Sequence, residues 1–334
     1  MTKARHATFA GLGSALPEHA VPNSYFESIL ETSDAWIVER TGIRERHFAA
    51  DGENTSDLAA AAAKRGLDSA GIAPEQVDML IIATLTPDRP LPASSVMVQQ
   101  QLGMTCPAFD INAACSGFSY GTAVATSMIE SGAADTVVVI GAEILSRYLD
   151  MTDRGTAILF GDGAGAAVLT PSDAPGVIGS VLAADGSGAE LLTIPAGGTD
   201  RPPTEETIAG REHLIKMPNG REVYKRAVNG MADACRELLD KSGLAADDVT
   251  LLIPHQANAR IMKTVADRLG IEPERCELDV ETVGNTSAAS IPIALDRAWR
   301  DGKIEPGGIA LMTSFGAGLA WGATLVRWTA PIPR

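Results

Sequence analysis

Two stretches of the chain repeat one order of apolar and polar positions. Residues 70–82 read AGIAPEQVDMLII, and residues 242–254 read SGLAADDVTLLIP. Each stretch follows an alanine-rich or amphipathic segment, which predicts helices over about 55–70 and 223–242. Each then turns at a glycine and enters a short apolar run of the kind that forms a buried strand.

The repeat continues beyond these strands in the same order. A second short strand ends at residues 109–110 in one copy and at 278–279 in the other. Loops of small residues then lead into helices predicted over about 113–131 and 287–301, each ending at a glycine. The next strands are predicted at Thr136–Ile140 and Gly308–Thr313. Four matching features in one order indicate a duplicated chain.

Strands that alternate with helices predict an α/β fold with largely parallel sheets covered by helices. Two similar halves imply a pseudo-twofold molecule, and we place its division near Pro171–Pro175, giving halves of residues 1–172 and 173–334. Residues 195–220 are predicted to be irregular. Because ligands bind beyond the carboxyl ends of strands in such sheets, the chemistry is expected at strand ends of both halves.

Composition and charge narrow the classes of function. Hydrophobic residues make up 45% of the 334 residues and charged residues 21%, as in ordinary globular enzymes. The net charge of -15 argues against a nucleic-acid-binding protein and against attachment to anionic membranes. No signal peptide is expected, and the uncharged stretch between Asp110 and Glu130 is too rich in hydroxyl side chains to span a membrane. The four cysteines lack C-x-x-C spacing, so we expect neither a zinc site nor disulfides, and a cytoplasmic location.

Cys115 is the candidate nucleophile. It follows the strand that ends near Asp110 and is expected in the first turn of the next helix. Free N–H groups and the helix dipole at such a position favour the thiolate over the thiol. The small residues around it leave room for a substrate, although a packed core cysteine is an equally good interpretation from position alone.

His255 and Asn285 lie at corresponding ends of predicted strands in the second half. His255 directly follows the strand of the repeat, and Asn285 occupies nearly the place that Cys115 occupies in the first half. Taken singly, the histidine is more often structural, and the asparagine is well suited to a turn or a helix cap. Together the three residues form a Cys-His-Asn set, which also occurs in papain-like hydrolases, but those lack the duplicated α/β pattern.

The sequence resembles the β-ketoacyl-acyl-carrier-protein synthase III family over nearly its whole length. The motifs that carry the resemblance are TSDAWIVERTGIRERH at residues 32–47, AACSGF at 113–118, TDRGT at 152–156, FGDGAGAAVL at 160–169, PHQAN at 254–258 and GNTSAAS at 284–290. It implies a thiolase fold, with duplicated α/β halves layered α-β-α-β-α. It also implies a cytoplasmic, homodimeric acyltransferase that starts fatty acid synthesis by joining an acyl-CoA primer to a malonyl-acyl carrier protein.

The resemblance also implies roles for individual residues. Cys115 takes the acyl group, and His255 and Asn285 donate hydrogen bonds to the enolate that forms when the malonyl thioester loses carbon dioxide. No metal or other cofactor is implied, because the CoA thioester is a substrate. The remaining implied site residues are Ala317, Phe315 and Leu91 at the oxyanion hole and acyl pocket; Thr32, Trp36, Arg40, Arg154, Gly220 and Asn258 at the CoA site; and Lys225, Arg260, Lys263 and Arg268 at the carrier-protein surface.

Three related classes of protein stay as alternatives. A biosynthetic thiolase is expected to carry a second catalytic cysteine in the last glycine-rich loop, and Ser314–Gly318 has none. A priming ketosynthase or acyltransferase of a polyketide pathway would keep the same three residues. A non-catalytic ketosynthase partner is disfavoured because Cys115, His255 and Asn285 are all present.

Overall fold

The computed structural model describes residues 5–332, which form two main sheets and the helices that cover them. The strands are β1 (His6–Ala15), β2 (His19–Pro22), β3 (Glu45–Phe48), β4 (Met79–Ala83), β5 (Ala108–Ile111), β6 (Val137–Glu143), β7 (Gly163–Ser172), β8 (Val177–Ala184), β9 (Leu251–Pro254), β10 (Ile309–Gly316) and β11 (Ala320–Arg327). The helices are α1 (Asn23–Glu27), α2 (Asp34–Thr41), α3 (Thr55–Ala70), α4 (Ser94–Gln101), α5 (Gly117–Glu130), α6 (Arg154–Ala157), α7 (Glu205–Ala209), α8 (Gly220–Ser242), α9 (Ala259–Leu269), α10 (Val280–Val283) and α11 (Ser290–Arg300).

The two main sheets are mixed. The first has the strand order β1-β7-β6-β4-β5 and the second the order β8-β11-β10-β9, while β2 and β3 form a separate pair. Strands β4, β5 and β6 run parallel, as do β9 and β10, but β7 and β11 run antiparallel to their neighbours. The prediction of largely parallel sheets was therefore wrong for the last strands of each half. There the chain returns at one end of the sheet without a crossover helix.

Apolar packing arranges these elements in five layers. Helices α5 and α11 lie between the two sheets, where Phe118, Ile291 and Trp299 pack against apolar side chains of both. Helices α3 and α4 cover the outer face of the first sheet, and α8 and α9 cover that of the second. The expected α-β-α-β-α layering is confirmed.

The two halves repeat local backbone geometry as well as element order. Helices α3 and α8 end at Gly71 and Gly243, whose φ angles of 67° and 66° lie in the left-handed region that glycine adopts most easily. Short 3-10 turns, Ala114–Ser116 and Ser287–Ala289, precede α5 and α11. The chain passes from the first sheet to the second between β7 and β8, and the division at residue 172 stays a prediction.

Candidate active site

Two cavities meet at Cys115. The wide cavity has a volume of about 670 Å³ and is lined mainly by apolar residues, among them Leu85, Leu145 and Ile194. The narrow cavity has a volume of about 150 Å³, and its wall includes His255 and Asn285. Cys115 lines both cavities, so the structure brings the three candidate residues together around one sulfur atom.

The backbone around Cys115 is held close to the strand β10. A Cβ atom on Gly316 would lie 2.7 Å from the Cys115 nitrogen, so only glycine allows this approach. The sulfur interacts with the backbone N–H groups of Cys115 and Ala317 and with the Ser287 hydroxyl. These three groups converge on the place where a thioester carbonyl would meet the sulfur.

Cys115 differs from the sequence prediction in two respects. It lies in the 3-10 turn just before α5, not in the first turn of that helix. Complete burial raises the pKa of its thiol to about 11, so the neutral thiol is the resting form, contrary to the expected thiolate. The position at a helix start was correctly recognised, but burial outweighs the stabilisation that a helix start provides.

His255 is held as a neutral ring. Its backbone N–H donates to the Thr313 carbonyl at 2.7 Å, which fixes it at the end of β9. Its Nδ1 lies 2.6 Å from Ser290 Oγ, and that oxygen also accepts from the Gln256 N–H at 3.4 Å. A Ser290 hydroxyl that donates to Nδ1 leaves the ring proton on Nε2. Burial lowers the pKa of His255 to about 3, which keeps the ring neutral.

Asn285 is oriented by its own turn. Its side-chain Oδ1 accepts from the Ser287 N–H at 2.9 Å, so the amide nitrogen Nδ2 is the end left for the narrow cavity. Its backbone pairs with the segment 159–161 of the first half, through bonds of 2.9 and 3.0 Å. A Cβ atom on Gly161 would lie 2.6 Å from the Val283 carbonyl, so glycine is needed for that pairing.

The structural counterpart of Asn285 in the first half is Asn112, not Cys115. Asn112 Oδ1 accepts from the Ala114 N–H at 3.1 Å, just as Asn285 accepts from Ser287. Ala114 and Ser287 then share a left-handed backbone, with φ angles of 46° and 50°. The predicted correspondence was therefore displaced by three residues, because sequence similarity did not define the loop register.

Comparison with known proteins decides the family. Models described as 3-oxoacyl-[acyl-carrier-protein (ACP)] synthase III and its C-terminal part match residues 109–186 and 239–328. A β-ketoacyl-[acyl-carrier-protein] synthase III of a Roseiflexus species is 47% identical over 98% of this chain and 100% of its own. The chain belongs to the β-ketoacyl-acyl-carrier-protein synthase III family. It is therefore an acyltransferase-type condensing enzyme of the thiolase fold.

Solved structures agree with this assignment. The 3-oxoacyl-[acyl-carrier-protein] synthase III of Aquifex aeolicus has a TM-score of 0.89 and 44% identity, covering 96% of this chain and 100% of its own. The priming β-ketosynthase of a polyketide biosynthetic pathway has a TM-score of 0.92 and 35% identity, covering 100% and 99%. Within residues 5–332, no helix combines the length and apolar character that crossing a membrane requires.

Contacts link several of the residues that the synthase III resemblance assigns to CoA. The guanidinium groups of Arg154 and Arg40 each stack over the Trp36 ring, at 4.5 and 4.6 Å from its centroid. Asn258 caps α9 and donates from Nδ2 to the Arg40 carbonyl at 3.0 Å. Gly220 is the first residue of α8, and both Gly220 and Asn258 line the narrow cavity.

Thr32 and the pocket residues occupy distinct places. Thr32 Oγ1 is buried and has no hydrogen-bond partner among residues 5–332. Phe315 lines the narrow cavity and stacks on Trp321, whereas Ala317 lines the wide cavity. Leu91 is 84% exposed on the loop between β4 and α4 and lines neither cavity.

The predicted carrier-protein residues lie on α8 and α9, which pack against each other. Lys225, Arg260, Lys263 and Arg268 are all exposed. Arg260 and Lys263 share a groove with Glu39 and Glu281, so this face of the synthase is mixed in charge. Arg268 donates to Asn229 Oδ1 and is partly engaged within the protein.

Sequence reasoning missed three polar residues, two that contact the catalytic groups and one that contacts them through Ser287. Ser287 and Ser290 lie inside the quoted GNTSAAS motif, but their contacts depend on how the turn before α11 folds. Glu143 lies at the end of the apolar strand β6 and hydrogen-bonds to the Ser287 hydroxyl at 3.1 Å. A carboxylate inside an otherwise apolar strand was the signal that could have drawn attention to it.

Proposed function

We propose that this chain catalyses the decarboxylative condensation of an acyl-CoA primer with a malonyl-acyl carrier protein through Cys115, His255 and Asn285. The reaction is the initiating step of fatty acid synthesis, as the family assignment indicates. One observation carries the residue roles. Cys115 lies where the wide and narrow cavities meet, and two oriented hydrogen-bond donors face the same point.

The first half-reaction transfers the acyl group to the enzyme. The Cys115 sulfur attacks the thioester carbonyl, forms a new C–S bond and expels the CoA thiolate. Negative charge collects on the carbonyl oxygen, and the backbone N–H groups of Cys115 and Ala317, which interact with the sulfur, donate to it. The apolar wide cavity then takes the acyl chain.

The second half-reaction forms the carbon–carbon bond. The malonyl thioester loses carbon dioxide, and the electron pair of the broken bond forms an enolate. Asn285 Nδ2 and the His255 Nε2 proton stabilise its oxygen, because both groups are neutral donors facing the narrow cavity. The enolate carbon attacks the acyl carbonyl and expels the Cys115 thiolate, which leaves a 3-ketoacyl-acyl carrier protein.

Substrate binding follows the same assignment. The CoA nucleotide binds at Trp36, Arg40 and Arg154, whose stacked arrangement offers flat faces to an adenine ring. The family resemblance assigns Thr32 to the same nucleotide site. The pantetheine arm passes Gly220 and Asn258 to reach Cys115.

The setting of the reaction is part of the proposal. No cofactor takes part, because decarboxylation generates the carbanion and protein N–H groups stabilise it. The enzyme works in the cytoplasm, which is supported by four cysteines that form no disulfide. It works as a homodimer, with Leu91 of each subunit closing the acyl pocket of the other.

Mass spectrometry of the intact protein tests the nucleophile. After incubation with a panel of acyl-CoAs, the wild type should gain one acyl group, and digestion should place it on Cys115. Cys115→Ala should gain none. Cys115→Ser should lose condensation, because a hydroxyl ionises far less readily than a thiol. An acyl adduct that persists on Cys115→Ala would remove the assignment.

A polyketide-priming ketosynthase is the second candidate. The likeness to a priming β-ketosynthase over the whole chain favours it. The same acyl-CoA panel separates the two candidates when a fatty acid carrier protein and a polyketide carrier protein compete as malonyl donors. Preference for the polyketide carrier would select the second candidate.

A further inference from the structure

Glu143 is a buried carboxylate that the condensation steps leave without a role. It is fully buried at the carboxyl end of β6. Its Oε2 accepts from the Thr86 hydroxyl at 2.6 Å, from the Thr86 N–H at 3.1 Å and from the Thr84 hydroxyl at 3.2 Å. Among residues 5–332, it has no ion pair or hydrogen bond with a basic side chain. Burying a carboxylate without a basic partner costs folding free energy, and carboxylates in such settings are often functional.

A continuous hydrogen-bonded chain joins Glu143 to the nucleophile. The Ser287 hydroxyl donates to Glu143 Oε1 at 3.1 Å, and the same hydroxyl hydrogen-bonds to the Cys115 sulfur. The Ser287 hydroxyl has a single proton, which it donates to Glu143 Oε1. Its oxygen is then the atom that can accept the Cys115 proton.

The nucleophile needs a proton acceptor, and His255 is poorly suited. Its Nδ1 is engaged with Ser290, and burial lowers the pKa of the ring to about 3. Burial raises the pKa of Glu143 to about 7, which makes its carboxylate a much stronger base than an ordinary one.

We propose that Glu143, acting through the Ser287 hydroxyl, takes the proton of Cys115 when the sulfur is acylated and returns it when the sulfur is released. In the transfer, the S–H bond of Cys115 breaks as a proton passes to Ser287 Oγ, and the Ser287 proton passes to Glu143. The products are an acylated Cys115, a neutral Glu143 and the CoA thiolate. In the condensation, the expelled Cys115 thiolate regains the proton by the reverse path, so the cycle closes without another base.

The surroundings of Glu143 suit this exchange. Its strand partners are β4 and β7, and the residue paired with it on β7 is Gly163, which carries no side chain. Two titratable groups interact electrostatically with it, the Cys115 thiol and the Tyr148 phenol. A negative Glu143 opposes a negative Cys115, so the pair favours carrying one proton between them. Glu143 and Ser287 thus act as positioning and proton-holding groups for the sulfur.

The proposal rests on the nucleophilic role of Cys115, so the test has one arm with substrate and one without. Single-turnover acylation by acetyl-CoA and alkylation by iodoacetamide are both measured between about pH 5 and pH 9. In the wild type, both rates should rise with pH as the pair of Cys115 and Glu143 loses its first proton, and they should then level off. In Glu143→Gln, acylation near neutral pH should fall on the order of a hundredfold, and its rate should keep rising with pH.

Three further variants separate a proton path from structural support. Ser287→Ala should reproduce the altered pH profile. The double variant of Glu143→Gln and Ser287→Ala should be no slower than the slower single variant, because both substitutions interrupt the same proton path. Glu143→Asp should restore part of the plateau. Asp162→Asn is the matched control, because Asp162 is also fully buried and tethers Ser146 and Ala49 without contacting Cys115. It should keep the wild-type profile.

The possible results distinguish failure of the relay from failure of the proposed function. Wild-type rates and profile in Glu143→Gln would overturn the relay, and so would a slower rate with an unchanged pH profile. Losses that multiply in the double variant would also overturn it. Absence of acylation at Cys115 in the wild type would instead contradict the proposed function, while the alkylation profiles would still test the relay.

Discussion

Asn285 and His255 are each oriented by a hydrogen bond to the side-chain atom that faces away from the substrate. Asn285 uses its carbonyl oxygen within its own turn, and His255 uses Nδ1 toward Ser290. An amide flip or a changed tautomer would replace a donor with an acceptor, so these bonds determine which chemistry the cavity supports. The same residues in another turn would not stabilise an enolate.

Removing either donor should separate the two half-reactions. His255→Ala and Asn285→Ala should still take an acyl group on Cys115, but carbon dioxide release from malonyl-carrier protein should fall about 100- to 1000-fold. Ser290→Ala is the comparison, because it removes neither donor side chain and only releases the His255 ring from its bond at Nδ1, so its loss should be smaller. Decarboxylation at the wild-type rate in either alanine variant would exclude that residue as an enolate donor.

The raised pKa of Glu143 should also make the free energy of unfolding depend on pH. Its folded pKa of about 7 lies above its ordinary value of 4.5, so its contribution is full at low pH and is lost as pH rises through 7. As the pH rises from 4.5 to about 7, the free energy of unfolding of the wild type relative to Glu143→Gln should therefore decrease, by about 3 kcal/mol at most. Urea unfolding at several pH values measures this difference. Parallel curves for the two proteins would show that Glu143 ionises normally.

At the scale of elements, the repeat predicted most of the helices and strands but not their contacts, and the strand expected to end at residues 278–279 does not form. The helix predicted over 55–70 is α3 to the residue, because an amphipathic segment between a cap and a glycine determines its own ends. The displaced match of Asn285, the antiparallel last strands and the raised pKa of Cys115 all depend on packing between segments far apart in the chain. Glu143 and Ser287 lie 144 residues apart, and no local pattern links them.

Arg260, on helix α9, is expected to bind the acidic carrier protein through its positive charge. Arg260→Glu should raise KM for malonyl-carrier protein several-fold more than KM for acyl-CoA, because the reversed charge repels the carrier. Added salt should narrow the difference from wild type. Lys64→Glu on α3 makes the same change in net charge on the opposite outer layer and should affect neither KM. Equal increases for both substrates would mean that Arg260 supports the fold or the CoA route.

At the scale of the whole molecule, the exposed apolar residues support the proposal that a second copy of the chain completes the acyl pocket. Strand β5 is an edge of the first sheet, and Phe109 on it is partly exposed, as are Val96 and Leu182. An unpaired edge with apolar side chains is well suited to a second copy of the chain. Leu91 is far more exposed than these residues, which fits a side chain that is covered only in a dimer.

The choice of primer should therefore depend on the residue at position 91. The wide cavity, at about 670 Å³, has room for chains longer than acetyl. In the proposed homodimer, where Leu91 of one subunit closes the cavity of the other, leucine would leave more room than phenylalanine. Leu91→Phe should shift preference toward acetyl-CoA over longer or branched acyl-CoAs, since each methylene in an apolar pocket is worth roughly 1–3 kcal/mol. The measurement is the ratio of kcat/KM values for the two primers, with light scattering to show that the variant keeps the oligomeric state of the wild type. Leu91→Met, which conserves volume, should leave the ratio unchanged. An unchanged ratio in Leu91→Phe would mean that this loop does not close the acyl pocket.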